Sequence, residues 1–296
     1  MTGLGNLIKR NIKLFFKDKG MFFSSLITPI ILLVLYVTFL AGVYRDSFNS
    51  AFSGVISDGI INALVGGQLV SSLLAVSCVT VSFCSNLLMV QDKTSGARKD
   101  ITVSPVKKST LALSYFLSSA VNTLVISFTA LAVCFIYMLK TGWYMNFKDV
   151  LLIMLDVLLL TLFGTSLSSC VNFFLSTNGQ ASAVGTVVSA GYGFVCGAYM
   201  PISNFSPMLQ KILSFLPGTY GTVLLRGHCL GGIFREMQKE HIPLAAIEEI
   251  KKSIDCTLFF FDRKVGTDMM YCVLCGAIAL FVLLYILMNK LKKINN

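Results

Sequence analysis

Few residues of this sequence are of a type and spacing that could do chemistry. Its two histidines are His228 and His241, and the C-x-x-C pair of Cys272 and Cys275 lies in an apolar run without polar ligands beside it. Zinc and thiol redox sites need such a polar shell. The sequence also contains no G-x-x-x-x-G-K-[ST], H-E-x-x-H or G-x-S-x-G motif. We therefore predict no catalytic residue, no metal site and no cofactor in this chain, which is not expected to be an enzyme.

A single carboxylate lies inside an apolar run, where burying its charge would cost free energy. Asp156, in LIMLDVLLL, is the only acidic residue inside a predicted membrane span, and an ionisable group at that depth is a functional-site hypothesis by default. Alternatively it is structural, facing a polar neighbour such as Asn172 or Asn122, or protonated against another helix. Because a proton-coupled carrier usually has several such groups, the sequence favours the structural or assembly role.

The elements that must position these residues are membrane helices. The chain is 55% hydrophobic and 13% charged, whereas soluble domains carry about 25% charge. The formal net charge of +10 falls on the predicted cytosolic segments, including the tail after the last apolar run, as the orientation of membrane proteins by positive charge requires. Nucleic-acid binding is not needed to explain it.

We predict one all-α integral membrane domain, residues 1–296, with six transmembrane helices and both termini in the cytosol, placed in the plasma membrane. The six apolar runs are 21–43, one that begins between Ile60 and Leu64 and ends at Val90, 111–139, 150–175, 181–199 and 269–288. Each is about the length that crosses a bilayer. A kink at Pro29 and a small outer loop over 45–59 are expected.

Residues 3–19 are predicted to form an amphipathic helix that lies in the membrane interface. Apolar side chains fill one broad arc of its helical wheel. The opposite arc carries Lys9, Arg10, Lys13 and Lys17, which are expected to face anionic lipid headgroups. The long positive region and the absence of a cleavage site argue against a signal peptide.

Residues 91–109 form a short basic cytosolic segment between two spans. Gly96 and Pro105 bracket residues 97–103, about two helical turns that offer Ile101 and Val103 among charges. An ordered helix of this kind is suited to docking against a cytosolic partner. The alternative is a loop that only sets orientation by its charge.

Residues 200–268 are predicted to be re-entrant helices and an outer subdomain. Residues 200–230 are apolar but divided by Pro201, Pro207 and Pro217, and broken backbone at membrane depth must be buried in protein or line a cavity. In residues 231–268, the positions of Ile247, Ile250 and Ile254 have helical spacing. Cys229 and Cys256 could pair in an oxidising compartment.

The fifth span has a face of small residues. Gly193 and Gly197 form a G-x-x-x-G there, which permits close helix approach. Either the face packs inside the chain, or it packs across a subunit boundary at a translocation path.

The order of these elements resembles the permease subunits of ABC-2-type exporters. The amphipathic helix is similar to the connecting helix of that family. The segment DKTSGARKDITVSPVKKSTLALSY resembles its E-R-x-x-G-T…L…S-P-V…K pattern, and GAYMPISNFSPMLQKILSFLPGTYGTVLLRG resembles the exit of its fifth span.

The resemblance implies a permease that dimerises with a second permease and rests on a cytosolic ABC ATPase, which would bind the ATP and magnesium. It implies a path between the permeases, lined by the second and fifth spans, for a drug, antimicrobial peptide or lipid-like molecule. The resemblance assigns coupling to the ATPase to eight residues: Asp92, Lys93, Gly96, Arg98, Ile101, Val103, Ser104 and Pro105. Dimer contact or the path falls on Gly193, Gly197 and Asp156, and the outer re-entrant segment on Pro201, Pro217 and Tyr220. Two alternatives stay open: an ion-coupled secondary transporter, and a toxin-binding immunity or sensor protein.

Overall fold

The structure, a computed structural model, describes residues 2–52, 56–261 and 263–291, which are almost entirely helical. The helices in these ranges are α1 Thr2–Lys17, α2 Lys19–Leu35, α3 Ala41–Phe52, α4 Asp58–Ser85, α5 Leu87–Thr94, α6 Ala97–Val103, α7 Lys108–Thr141, α8 Phe147–Phe174, α9 Asn178–Val195, α10 Pro207–Leu213, α11 Pro217–Lys239, α12 Leu244–Ser253 and α13 Thr267–Leu291. A π-helical turn, Tyr36–Leu40, joins α2 to α3, and a 3-10 turn, Ile202–Asn204, precedes α10. Strands β1 (Phe259–Phe260) and β2 (Arg263–Lys264) pair antiparallel, Phe259 with Lys264 and Phe260 with Arg263.

Five helical stretches among the described residues are long and apolar enough to cross a membrane. They are Lys19–Ser50, Asp58–Thr94, Lys108–Thr141, Phe147–Phe174 and Thr267–Leu291. The prediction of an all-α, multi-pass membrane protein is therefore confirmed. The fifth expected span falls on α9, whose first residues are polar and which is not among these five, so the count of six is not established by length and composition.

The helix α4 is the centre of the bundle. It packs on α2, α7, α8, α9 and α11, and 89% of its most apolar window is buried inside the chain. We call the end of the bundle that carries α1 and α6 the near end, and the end where α4, α8 and α13 begin the far end. The helix α4 is therefore enclosed by its own chain along most of its length.

Close contact between α4 and α8 depends on a small residue and a polar seam. A Cβ on Gly164 would lie 2.9 Å from the Cα of Val79, so the two backbones touch there. One turn further on, Asn86 donates to the hydroxyls of Ser168 and Ser169 at 2.6 and 2.8 Å. These buried polar groups satisfy one another, as burial away from water requires.

The first span departs from its predicted shape. The helix continues past Val43 to Phe52, and the expected outer loop is helical over its first eight residues. Phe48 is buried and α3 packs along α4, a tertiary contact that outweighs the polar composition. The irregularity lies at the π-helical turn, whereas α2 runs through Pro29.

The region after α9 also differs from prediction, because its prolines begin helices. Pro207 and Pro217 occupy the first turns of α10 and α11, where the missing N–H costs nothing. The helix α11 then extends to Lys239, well past the expected limit at residue 230. It runs antiparallel to α8: Gly221 contacts Leu160, halfway along α8, and Arg235 binds Asp149 near its start. Together α9 and α11 carry the chain from the near end to the far end.

The subdomain at the far end, within residues 231–268, contains the helix predicted from the spacing of its isoleucines. Ile247 and Ile250 of α12 are fully buried, and Ile254 is buried directly after it. Cys229 and Cys256 are both buried and not bonded to each other. Burial raises the pKa of the Cys256 thiol to about 12.

Candidate functional site

The near end is organised by an ion pair between α1 and α5. Arg10 donates to both carboxylate oxygens of Asp92, at 2.7 and 3.0 Å, and the hydroxyl of Tyr115 in α7 donates to the same carboxylate at 2.6 Å. The hydrogen bond to Asp92 raises the pKa of Arg10 above its already high value, against the opposing effect of burial. Bidentate pairs of this kind fix geometry as well as charge. The amphipathic helix is thus held to two helices of the bundle.

The next residue, Lys93, binds the carbonyl groups at the end of α8. The ammonium group of Lys93 donates to the backbone carbonyls of Asn172, Phe173 and Leu175 at 2.9, 2.9 and 3.0 Å. The last carbonyls of a helix have no partner inside it and carry partial negative charge. Lys93 therefore fixes the beginning of the polar segment to the near end of α8.

Residues 97–103 form α6, with the predicted bounds. Gly96 has a φ of +82° as its N-cap, a left-handed conformation that glycine adopts without steric cost. Arg98 donates to Asn289 of α13 at 3.4 Å. Ile101 is half-buried and packs with Phe15 of α1 in one apolar cluster. One face of α6 is therefore turned toward its own chain.

The residues at the other face and exit of α6 are exposed. They are Lys99, Asp100, Val103, Ser104 and Pro105, and Val103 shows 87% of its surface. Among the residues that the resemblance assigns to coupling, Asp92 is buried, while Lys93, Arg98 and Ile101 bind or pack within the chain. Only Val103, Ser104 and Pro105 of that set are fully available to a second molecule.

The helix α1 is amphipathic as predicted, but one of its cations points elsewhere. Lys9, Lys13 and Lys17 are exposed, whereas Arg10, expected at the lipid headgroups, is turned to Asp92. Phe15 is fully buried, and α1 packs along α7. The helix therefore rests on the protein bundle along one side.

An open cleft of about 760 Å³ lies between α2 and α9. We call it the α2/α9 cleft. The face of small residues on α9 contributes Ala181, Ser182, Gly185, Thr186, Ser189 and Ala190 to its wall. Ser24 and Thr28 of α2 face them, and Phe83 and Cys84 form the only part of α4 that reaches it. The lining contains hydroxyl groups but no charged side chain.

The predicted G-x-x-x-G does not form a helix face. Gly197 lies beyond the end of α9, with a φ of +73°, and a Cβ there would lie 2.7 Å from Ile202. Gly193 is covered by the ring of Tyr199, 2.4 Å from where its Cβ would be. Both glycines permit a tight turn of the chain upon itself. The face of small residues that stays open lies closer to the start of α9.

Asp156 is paired with His228, a residue that the sequence places in the predicted outer segment. Its carboxylate is 2.5 Å from Nδ1 of His228 in α11 and accepts from the hydroxyl of Tyr271 in α13 at 2.8 Å. Neither Asn172 nor Asn122 is its partner. The cluster joins α8, α11 and α13.

A second buried charge joins the far-end elements. Arg226 is fully buried and donates to the carbonyls of Gly197 and Ile254 at 2.7 and 2.9 Å. It lies 3.7 Å from Asp255, whose carboxylate accepts from the backbone N–H groups of Ile202 and Ser203. Burial raises the pKa of Asp255, and the charge of Arg226 opposes this.

The residues assigned to the outer re-entrant segment lie at the turns and helix starts between α9 and α11. Pro201 precedes the 3-10 turn, and Pro217 begins α11. The hydroxyl of Tyr220 donates to the carbonyl of Ser214 at 2.7 Å, which holds the turn between α10 and α11. Among the described residues, no three histidine, cysteine or acidic side chains come together as metal ligands.

The pairing of Arg10 with Asp92 and the roles of Arg226 and His228 were not predicted. A charge count along the sequence could have found one signal: Arg226, His228 and Arg235 interrupt an otherwise apolar stretch, and basic residues in such a place need buried acidic partners.

Residues 57–288 match the model of a family described as ABC-2 family transporter protein. No curated protein matches the sequence. The matched residues make up most of the chain, and they contain α4 to α12 and nearly all of α13. The chain therefore belongs to the ABC-2 family of transporter proteins and is a transmembrane transport component.

Proposed function

We propose that this chain is the membrane subunit of an ATP-driven exporter in the plasma membrane, coupled to a separate ABC ATPase. Proteins of this family normally work with such a partner. The observation that carries the proposal is the exposed surface at α6 and its exit, formed by Lys99, Asp100, Val103, Ser104 and Pro105. The segment of α5 and α6 is attached to α1 through Asp92 of α5, to α8 through Lys93 of α5 and to α13 through Arg98 of α6. A force applied to α6 would therefore reach helices that run the length of the molecule.

The proposal includes six passes across the membrane, with both termini in the cytosol. The helix α8 ends at the near end and α13 begins at the far end, so the chain must cross once between them. The pair α9 and α11 supports that crossing. The helix α9 begins at the near end, and α11, as the re-entrant helix, covers the remaining distance to the far end. The basic residues of α1 and of residues 91–109 support a cytosolic near end.

The α2/α9 cleft is the proposed contribution of this chain to the transport path. A second permease, identical or different, would close its open side. The lining of apolar and hydroxyl side chains supports an amphipathic substrate such as a drug, antimicrobial peptide or lipid-like molecule, because a fully charged one would be poorly solvated there.

A pulldown tests the ATPase partner. Tagged protein from native membranes should recover ATPase activity, and Val103→Asp should reduce that recovery at least tenfold. Burying an exposed valine stabilises an interface by about 1.5–3 kcal/mol, which a carboxylate would reverse. Leu244→Asp makes a similar change at an exposed position of α12 and should leave the recovery unchanged. Absence of ATPase with the wild type, or equal recovery with Val103→Asp, contradicts the proposal.

One observation favours a second candidate, a proton-coupled carrier. Asp156 and His228 form a titratable pair inside the bundle, and such pairs occur in proton relays. In vesicles without ATP and without the ATPase, an imposed pH gradient should then drive transport, and Asp156→Asn should abolish it. Transport that requires ATP and survives Asp156→Asn excludes this candidate.

A further inference from the structure

A cationic cavity of about 400 Å³ lies at the far end, between α3, α4 and α7. Arg45 and Lys140 are the two charged side chains of its lining. Asn62, Tyr137 and Thr141 add neutral hydrogen-bonding groups. Its volume is within the range of small-molecule sites, and it is open at the side.

The two cations of this cavity lack an acidic partner in the described parts of the chain. Neither takes part in the ion pairs found there, and Arg45 is bonded to the amide oxygen of Asn62. Asp46 follows Arg45, but adjacent helical residues do not face each other, and Asp46 is not in the lining. The cavity therefore offers concentrated positive charge and several donors to an anion.

A second cavity, of about 220 Å³, continues the same groove toward the middle of the bundle. Its walls are Leu26, Pro29, Ile30 and Leu33 of α2 and Ile126, Thr129, Ala130, Val133 and Cys134 of α7, with Leu73 of α4 as the floor. Leu33 and Val37 are one helical turn apart on one side, as are Val133 and Tyr137 on the other. The same three helical stretches thus form a cationic upper part and an apolar lower part.

We propose that this groove binds one phospholipid of the leaflet at the far end. Its phosphate lies between Arg45 and Lys140, and an acyl chain lies in the apolar part between α2 and α7. A free phosphate would use only the upper cavity, whereas the adjoining apolar cavity matches the second half of a lipid. Val37 and Ile136 beside the groove are exposed, so a lipid can enter from the bilayer. The site lies on a different side of α2 from the α2/α9 cleft and does not depend on the proposed function.

Native mass spectrometry of the purified protein tests the site. In detergent with added dioleoyl-phosphatidylglycerol, the wild type should retain one lipid per chain. Dioleoylglycerol, which has the same acyl chains without the phosphate, should bind at least tenfold more weakly. The double variant Arg45→Gln, Lys140→Gln should lose at least tenfold in lipid affinity, and Ala130→Trp, which fills the apolar part, should do the same. Lys148→Gln, at an exposed position near the same end, should bind as the wild type does.

Three results would overturn the proposal. The first is equal binding of both lipids, which indicates an apolar surface without a headgroup site. The second is unchanged affinity in the double variant, which indicates that the cations only extend toward the headgroup region. The third is unchanged affinity in Ala130→Trp together with binding of inorganic phosphate, which indicates an anion site. If the double variant does not fold, Lys140→Gln alone serves as the test, because this exposed side chain can be changed without disturbing the core.

Discussion

Asp92, Asp156 and Arg226 are buried ionisable side chains, and each is bound to a residue of another helix or loop. Burial of a charge without a partner is strongly unfavourable, so each pair fixes the relative position of two elements. Removing one member leaves the other unpaired, which costs more than the pair itself contributes. The consequences of single substitutions are therefore predictable from the partner that remains.

The contact between Arg10 and Asp92 should behave as a coupled pair. We expect Asp92→Asn and Arg10→Gln each to lower the free energy of unfolding by about 1–3 kcal/mol, the range for hydrogen bonds to charged groups. The double variant should lose less than the sum of the two. Thermal unfolding in detergent measures all three, and Lys13→Gln, an exposed cation on the same helix, is the control. Strict additivity would show that the two side chains do not interact.

Replacement of Arg226 should be more severe, since its charge is completely buried. We expect Arg226→Met to cost about 3–5 kcal/mol, because Asp255 then stays buried without its cation. Burial raises the pKa of Asp255 above 3.8 and Arg226 opposes this rise, so its loss raises the pKa further. A raised carboxyl pKa contributes stability below the unfolded value that is lost as the pH rises. The stability difference from the wild type should therefore grow as the pH rises from the wild-type pKa of Asp255, which lies above 3.8, toward its higher pKa in the variant. A difference independent of pH would contradict the role of Asp255.

Local rules predicted some elements and missed others for identifiable reasons. Gly96 determined the start of α6, because only a left-handed cap residue of that type breaks the chain there cheaply. The length of α11 could not be predicted, since Arg226 and His228 appear too polar for a buried helix until their acidic partners are known. The burial of Asp92 was equally inaccessible, because α1, which supplies its partner, is separated from it by two spans.

The contact of α4 with α8 gives a test at this scale. Gly164→Val would place side-chain atoms against the backbone of Val79 and Cys78. The helices would have to separate, and overpacking of this kind costs about 1–3 kcal/mol. Gly276→Val, where a Cβ meets nothing within 4 Å, is the matched control in another membrane helix. The measurement is the unfolding temperature of both variants. A similar temperature for the two would mean that α4 and α8 are not in close contact.

At the scale of the molecule, α4 lies in the most buried of the five candidate spans, and the first span and α13 are the least buried. The first span has only 17% of its most apolar window buried, and it borders both the phospholipid groove and the α2/α9 cleft. The near end is held together through α1, α5, α6, α8 and α13, whereas the open side of α9 has no such attachment. A change at α6 would therefore be expected to alter the α2/α9 cleft more than the contacts of α4.

The final prediction concerns this cleft and uses two glycines in open space. A Cβ on Gly185 in α9 or on Gly276 in α13 meets no atom within 4 Å, so a side chain can begin at either position without a clash. Replacing either glycine by leucine should raise the helix propensity by about 1 kcal/mol. Both variants should therefore fold at least as stably as the wild type in thermal unfolding. Gly185 lines the α2/α9 cleft, whereas Gly276 does not.

If the α2/α9 cleft is the transport path, filling it should block transport while leaving the protein intact. In inverted vesicles that contain the ATPase, we expect Gly185→Leu to reduce ATP-dependent uptake of an amphipathic fluorescent dye at least tenfold, and Gly276→Leu to leave it unchanged. The physical reason is that a leucine side chain occupies space that an apolar substrate would need, and close-packed walls yield little. Uptake by Gly185→Leu at the wild-type rate would assign transport to another surface of the molecule, because the variant differs from its control only in where the added side chain lies.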